Sequence, residues 1–251
     1  MSFPLQGKKI IITREQNKAS VFAEKIRANG GIPIIIPLLK ISCKDEARNK
    51  NILSQLDRFR WVFFTSANGA QCFFQMLHRY QVPMEIMQEK KIAAVGVKTG
   101  ESLESYGITA DFIPTIYNAE TMAEEFLEND VSGPILLVRG NLSRDVLPRV
   151  FSQQGMDFDW VEVYETIPKV ENEEKLRNIL QEPYDFITFT SPSAADAFYQ
   201  FAGAAVEKPC VSIGTTTEKR LAQLGFPNII TAKEFTIDGM IECMKQFLEK
   251  E

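Results

Sequence analysis

A chain of 251 residues, 45% apolar and 24% charged, can bury an ordinary core and is long enough for one large domain or two of about 125 residues. Its net charge of −5 argues against nucleic acid or an anionic membrane as the main partner, because both select a basic face. The longest apolar runs, Ile10 to Ile12 and Ile32 to Leu39, are far too short to span a bilayer, and Met1 to Lys9 lacks a targeting pattern, so a soluble cytoplasmic protein is expected.

The first predicted strand runs from Lys8 to Arg14. Ala19, Phe22, Ala23 and Ile26 follow at helical spacing, and Asn29-Gly30-Gly31 ends that helix. A second strand covers Ile32 to Ile36, bounded by Pro33 and Pro37. Between Cys43 and Arg60, Ile52, Leu53 and Leu56 predict an amphipathic helix. Trp61 to Phe64 reads as a buried strand, and Ala70, Phe73, Phe74 and Leu77 predict a helix capped by Ser66 or Asn68. Lys91 to Val95, a helix ending at Gly107, a strand around Phe112 to Pro114 and a helix from Asn118 to Leu127 continue the alternation. This pattern predicts an α/β fold with parallel sheets.

From Gly133 the same units return. Arg139 lies 125 residues after Arg14, and Thr190 lies 125 after Thr65. Gly214 lies 118 after Gly96, with Leu221 and Gly225 falling under Leu103 and Gly107 at the same spacing. Two copies of one α/β unit are therefore expected, and the repeat alone suggests a break near Asp130. Ligands in open parallel sheets collect beyond the carboxyl ends of strands, so a cleft between two such edges is the expected site.

The loops that follow these strands are rich in hydroxyls, small residues and free backbone N–H groups. Thr65, Ser66, Asn68, Gly96, Ser191 and Ser193 lie in them. Such loops hold carboxylates or phosphates well, while Ser, Thr and Asn at helix starts also serve as plain caps. Arg14 and Arg139, each at a strand end, are candidates to meet an anion or to be ordinary surface cations. In Trp160 to Thr166, strand alternation places Tyr164 opposite Val161 and Val163, either packed on an edge strand or reaching a cleft. A phenol there would stay protonated near neutrality and could donate to a leaving oxygen. Cys43, Cys72, Cys210 and Cys243 form no Cys-x-x-Cys pair and His78 is the sole histidine, so no metal site is expected and the thiols are expected reduced and mostly buried.

Ile12 to Arg14, Phe64 to Gly69, Ala94-Val95-Gly96, Val138-Arg139-Gly140, Val163 to Thr166, Phe189 to Ser193 and Ile213 to Thr217 together resemble the uroporphyrinogen-III synthase family, across residues 8 to 245. The resemblance implies two α/β domains, one from residues 1–36 plus 171–251 and one from 41–164, joined by two linker strands at 37–40 and 165–170 with a hinge between them. It implies a lyase of heme and porphyrin biosynthesis that cyclises hydroxymethylbilane to uroporphyrinogen III, releasing water and inverting the last ring. Tyr164 matches the family's tyrosine held to assist departure of the hydroxyl, and Ser66, Thr99, Ser191, Thr216 and Thr217 match substrate-binding positions. No cofactor is implied, the chain is expected to be a monomer, and hydroxymethylbilane synthase is the implied source of the substrate. A ligand-binding module of the same architecture without turnover, or a sugar-nucleotide transferase, would also have two α/β halves; the second lacks its phosphate motif here.

Overall fold

The computed structural model describes residues 4–128 and 133–249, so the break suggested near Asp130 lies outside the described residues. In chain order the elements are β1 (Lys9–Ile12), α1 (Gln16–Ala28), β2 (Ile32–Ile35), β3 (Leu39–Cys43), α2 (Ala47–Leu53), β4 (Trp61–Phe64), α3 (Ala67–Arg79), β5 (Lys91–Ala94), α4 (Val97–Glu104) and α5 (Ala119–Glu128). They continue with β6 (Ile135–Gly140), α6 (Val146–Gln153), β7 (Phe158–Pro168), α7 (Glu173–Gln181), β8 (Phe186–Phe189), α8 (Pro192–Ala202), β9 (Cys210–Ser212), α9 (Thr215–Gln223), β10 (Ile229–Thr231) and α10 (Ile237–Leu248).

The chain divides into a discontinuous unit, Met1–Lys40 with Ile167–Glu251, and a continuous unit, Ile41–Thr166. The first holds a sheet ordered β10-β9-β8-β1-β2, the second a sheet ordered β3-β7-β6-β4-β5. Pairing is parallel from β1 to β2 and β8, from β8 to β9 and from β9 to β10. It is likewise parallel from β4 to β5 and β6, and from β6 to β7. β1 and β2 of the first repeat thus complete a sheet whose other strands come from the second, while β6 and β7 of the second pair with strands of the first.

Strands buried on both faces explain the unbroken apolar runs. Successive residues of β4 alternate between cores: Val62 and Phe64 pack with Phe73 and Leu77, while Phe63 enters the opposite core with Phe126 and Phe151. Phe63 meets those two rings edge-on at centroid distances of 4.6 and 5.5 Å. In the discontinuous unit, Ile10 and Ile12 join Phe22 and Met240, and Ile11 joins Phe189 and Phe198. Thr13 Oγ1 donates to Thr188 O at 2.7 Å and Thr188 Oγ1 to Ile11 O at 2.9 Å, tying β1 to β8 inside the core.

Three expectations are corrected. The stretch Cys43 to Arg60 is not one helix: Cys43 ends β3, α2 covers only Ala47–Leu53, and Leu56–Arg58 forms a separate 3-10 turn. Phe112 makes only an isolated bridge to Ala93 instead of a strand. Cys43 and Cys72, expected as thiols, form a disulfide, because the fold brings the end of β3 and helix α3 to a Cα separation of 5.3 Å. Closing a loop of that sequence separation, 29 residues, contributes about 3.6 kcal/mol by restricting the unfolded chain. Cys210 and Cys243 are free and buried, and burial pushes their thiols up to about 12 and about 11.

Alkylation of the native, unreduced chain at about pH 8 is expected to leave all four cysteines unmodified, since thiolate is the reacting form. Reductant should open Cys43 to labelling and lower the urea midpoint of the continuous unit. Labelling of Cys43 without reductant, read by mass spectrometry, would contradict the bridge.

Candidate active site

The strands paired in parallel put their carboxyl ends on one edge of each sheet, and each unit gathers its own set of predicted residues there. In the discontinuous unit the set is Arg14 after β1, Ser191 and Ser193 around the start of α8, and Thr216 and Thr217 in the first turn of α9. In the continuous unit it is Thr65, Ser66 and Asn68 after β4, Gly96 and Thr99 around the start of α4, Arg139 in β6, and Tyr164 in β7.

Tyr164 stands where the strand register breaks. Arg139 pairs with Glu162 but Gly140 pairs with Tyr164, a shift between neighbouring positions of β6. Val161 and Val163 are fully buried, and Tyr164 packs against the same core cluster as they do instead of on the opposite side that strict alternation predicts, because the register shift interrupts the alternation. Its ring lies directly on Gly140: a β-carbon there would sit 2.3 Å from the ring carbon Cζ and 2.5 Å from Cε2. The Asn141 amide donates to Tyr164 O at 3.1 Å, and Asn141 Oδ1 accepts from the Thr166 amide at 2.9 Å, fixing the strand on both sides of the ring.

The phenol meets Ser66. Ser66 is the N-cap of α3, accepting from the Gly69 amide at 3.0 Å, and its hydroxyl donates to Tyr164 Oη at 3.1 Å. Because Ser66 supplies the proton of that second bond, the hydrogen of Tyr164 is left to donate elsewhere. The cap is therefore Ser66; Asn68 lies inside the first turn of α3. Thr65 Oγ1 donates to Val138 O at 3.0 Å and joins β4 to β6 beneath the site. Ser191 repeats the Ser66 cap on α8, accepting from the Ala194 amide at 3.2 Å, with Ser193 Oγ 3.1 Å away.

The two arginines are not equivalent. Arg139 is 12% exposed and is engaged by its own loop, donating to Ser143 O at 2.8 Å and to Asp145 at 2.7 Å. Arg14 has no hydrogen-bonded or ion-paired partner among the described residues. Burial lowers the pKa of its guanidinium from the ordinary value, with Glu15 offsetting part of the effect. It remains a cation at any ordinary pH.

Gly96 and Gly214 begin α4 and α9 without a side-chain cap. Thr99 and Thr217, equivalent in the repeat, are both buried, whereas Thr216 is exposed. Gly140 is the residue that sequence reading left out of the site. Its signals were its place at the end of a predicted strand and in the motif Val138-Arg139-Gly140, neither of which reveals an aromatic ring lying on it.

A family model described as "Uroporphyrinogen-III synthase HemD" matches residues 20–242. A relative from Methanocaldococcus jannaschii is 30% identical over 96% of this chain and 100% of its own length. The uroporphyrinogen-III synthase of Chlorobaculum parvum is 28% identical, over 96% of this chain and again its whole length. Among solved structures, the uroporphyrinogen-III synthetase of Helicobacter pylori superposes with a TM-score of 0.66 at 20% identity, covering 97% of this chain and 100% of that one.

Gly140→Ala is expected to lower stability by about 1–3 kcal/mol, because the added methyl must displace the Tyr164 ring. The double variant Gly140→Ala/Tyr164→Ala should recover part of that loss in a thermal melt. Strict additivity of the two single effects would mean that ring and glycine do not touch.

Proposed function

The chain belongs to the uroporphyrinogen-III synthase family, and from that premise we propose how its residues close hydroxymethylbilane to uroporphyrinogen III. The enzyme is a cyclising lyase of porphyrin biosynthesis acting on a tetrapyrrole. The observation that carries the residue assignment is the directed chain Gly69 N–H to Ser66 Oγ to Tyr164 Oη, with the phenol proton left over.

In this reading Tyr164 donates that proton to the hydroxyl leaving the first ring, and the oxygen departs as water. The substituted carbon of the last ring attacks the methylene of the azafulvene cation that remains, giving a spiro intermediate. The bond from that carbon to the neighbouring methylene then breaks and re-forms at the ring's other α-carbon, and the proton lost there restores the phenol, leaving the ring inverted. As the C–O bond breaks, negative charge grows on the departing oxygen, which strengthens the bond from the phenol and completes the proton transfer. The rest of the rate advantage over spontaneous closure to the symmetrical isomer comes from holding the open chain in the productive shape.

For the carboxylates, the best-placed cation is Arg14, which has no hydrogen-bonded or ion-paired partner among the described residues, while Arg139 holds the loop after β6 and reaches substrate only through that loop. Thr65, Ser66, Asn68, Gly96 and Thr99 in one unit, and Ser191, Ser193, Thr216 and Thr217 in the other, complete the proposed binding set. Charge-assisted bonds from hydroxyls and amides can hold an anionic substrate on a protein of net negative charge.

We read residues 37–40 and 165–170 as the linkers between the two domains, and the working enzyme as a cytoplasmic monomer that receives its substrate from hydroxymethylbilane synthase. None of the helices among the described residues is long and apolar enough to cross a membrane, which agrees with that location. In a reducing cytoplasm Cys43 and Cys72 would be thiols, so the proposal includes folding without the bridge.

Generating hydroxymethylbilane in situ, oxidising the products and separating isomers I and III tests the reaction. Wild type should give isomer III in proportion to protein added; isomer I alone at the spontaneous rate, from folded protein, would sink the proposal. Tyr164→Phe should lower kcat by about a hundredfold or more with an unchanged melting temperature. Ser66→Ala should cost less, because the phenol keeps its own proton. Arg14→Ala should raise KM chiefly, and no change would return Arg14 to the surface cations.

A further inference from the structure

Resting on that substrate class, we infer that Tyr117 and Phe235 are specificity-determining contacts, each presenting an aromatic face to one pyrrole ring of the tetrapyrrole. They lie 118 residues apart, the spacing that also relates Gly96 to Gly214. Each sits at the centre of a tight turn: the Asn118 amide donates to Ile116 O at 2.7 Å, and the Thr236 amide donates to Glu234 O at 2.7 Å. The following residue caps a helix in both, Asn118 Oδ1 accepting from the Thr121 amide at 2.7 Å and Thr236 Oγ1 from the Gly239 amide at 3.0 Å.

Each ring lies over the glycine at the strand end. A β-carbon on Gly96 would be 3.0 Å from Tyr117 Cγ, and one on Gly214 would be 3.0 Å from Phe235 Cδ1. Both glycines have φ of 179°, an extended backbone that any residue adopts. The glycine is therefore needed for the ring above it and not for the turn. Nevertheless Tyr117 is 61% and Phe235 64% exposed. Among the described residues, an aromatic seated on a glycine with most of its surface in water occurs once in each unit, at the edge where that unit gathers its candidate binding residues.

The flanking residues differ, Ile116 against Glu234 and Asn118 against Thr236, while turn, ring, cap and glycine are the same. Phe235 has no polar side-chain atom, so what the pair has in common is a π face. A pyrrole is flat and carries an N–H, and it fits such a face by offset stacking or by pointing the N–H at it. Carboxylate recognition by Arg14 and the loop hydroxyls is a separate contribution.

The test compares Tyr117→Phe, Tyr117→Leu and Phe235→Leu with wild type, leucine keeping an apolar contact with each glycine while removing the ring. Circular dichroism and the melting temperature should match wild type. Two readouts are taken: KM and isomer ratio in the cyclisation assay, and uroporphyrinogen affinity by anaerobic titration. Each leucine variant should weaken binding and raise KM by about three- to tenfold and lower the share of isomer III, with Tyr117→Phe unchanged. If wild type forms isomer III but folded leucine variants keep KM, affinity and isomer ratio, the aromatic contact is overturned while the synthase reading stands. Wild type that neither binds uroporphyrinogen nor forms isomer III overturns both.

Discussion

A methyl group at position 140 would occupy space already filled by the Tyr164 ring, and most of the continuous unit's candidate site follows from that exclusion. The register shift between β6 and β7 places Tyr164 opposite the glycine. The ring then lies flat on bare backbone, where its hydroxyl meets Ser66 at the start of α3. Ser66 is itself oriented by the Gly69 amide, so three groups on two elements share one direction of donation. Chains of this kind polarise along their length, which favours a donor at the free end.

A duplicated sequence does not produce duplicated electrostatics. Arg14 and Arg139 hold equivalent places in the repeat, but the loop after β6 supplies Ser143 O and Asp145 to its arginine. The chain after β1 supplies only the adjacent Glu15 at long range, so Arg14 keeps its donors. The hydroxyl caps are preserved where the arginine environments are not: Ser66 and Ser191 make the same bond to the amide three residues on.

Local chemistry made much of this legible in sequence. Apolar runs ending at Thr or Gly marked β1, β4, β5, β8 and β9, and helical spacing marked α1 and α3. The repeat spacing exposed the duplication. What stayed hidden depends on contacts between distant segments. β3 alternates apolar and polar residues at the edge of its sheet, and only its neighbour β7 makes it a strand. The Cys43–Cys72 bridge needs β3 and α3 to approach. The choice of Ser66 over Asn68 as cap is a matter of one residue, below what a pattern resolves. Gly140 under Tyr164, and Gly96 and Gly214 under their rings, are close approaches that a lone glycine in sequence does not announce. The repeat did carry a sign of the last pair, since Phe235 falls on Tyr117 at the spacing of the two glycines.

The strand order also dictates a timetable for synthesis. The continuous unit has all its strands once residue 166 has left the ribosome, and can close while the remainder is still being made. Its neighbour cannot: Ile11 of β1 pairs with Ile187 of β8, so β1, α1 and β2 emerge first and wait for the last third of the chain. During that interval the apolar faces carrying Ile10, Ile12, Phe22 and Ile26 lack their partners from β8 to α10. Sequence-distant pairing of this kind is slow and leaves nascent apolar surface open to other chains. Slower translation near residues 190–230, or a chaperone bound to the emerging N-terminal segment, would therefore change the yield of folded protein more than any comparable change acting on the continuous unit.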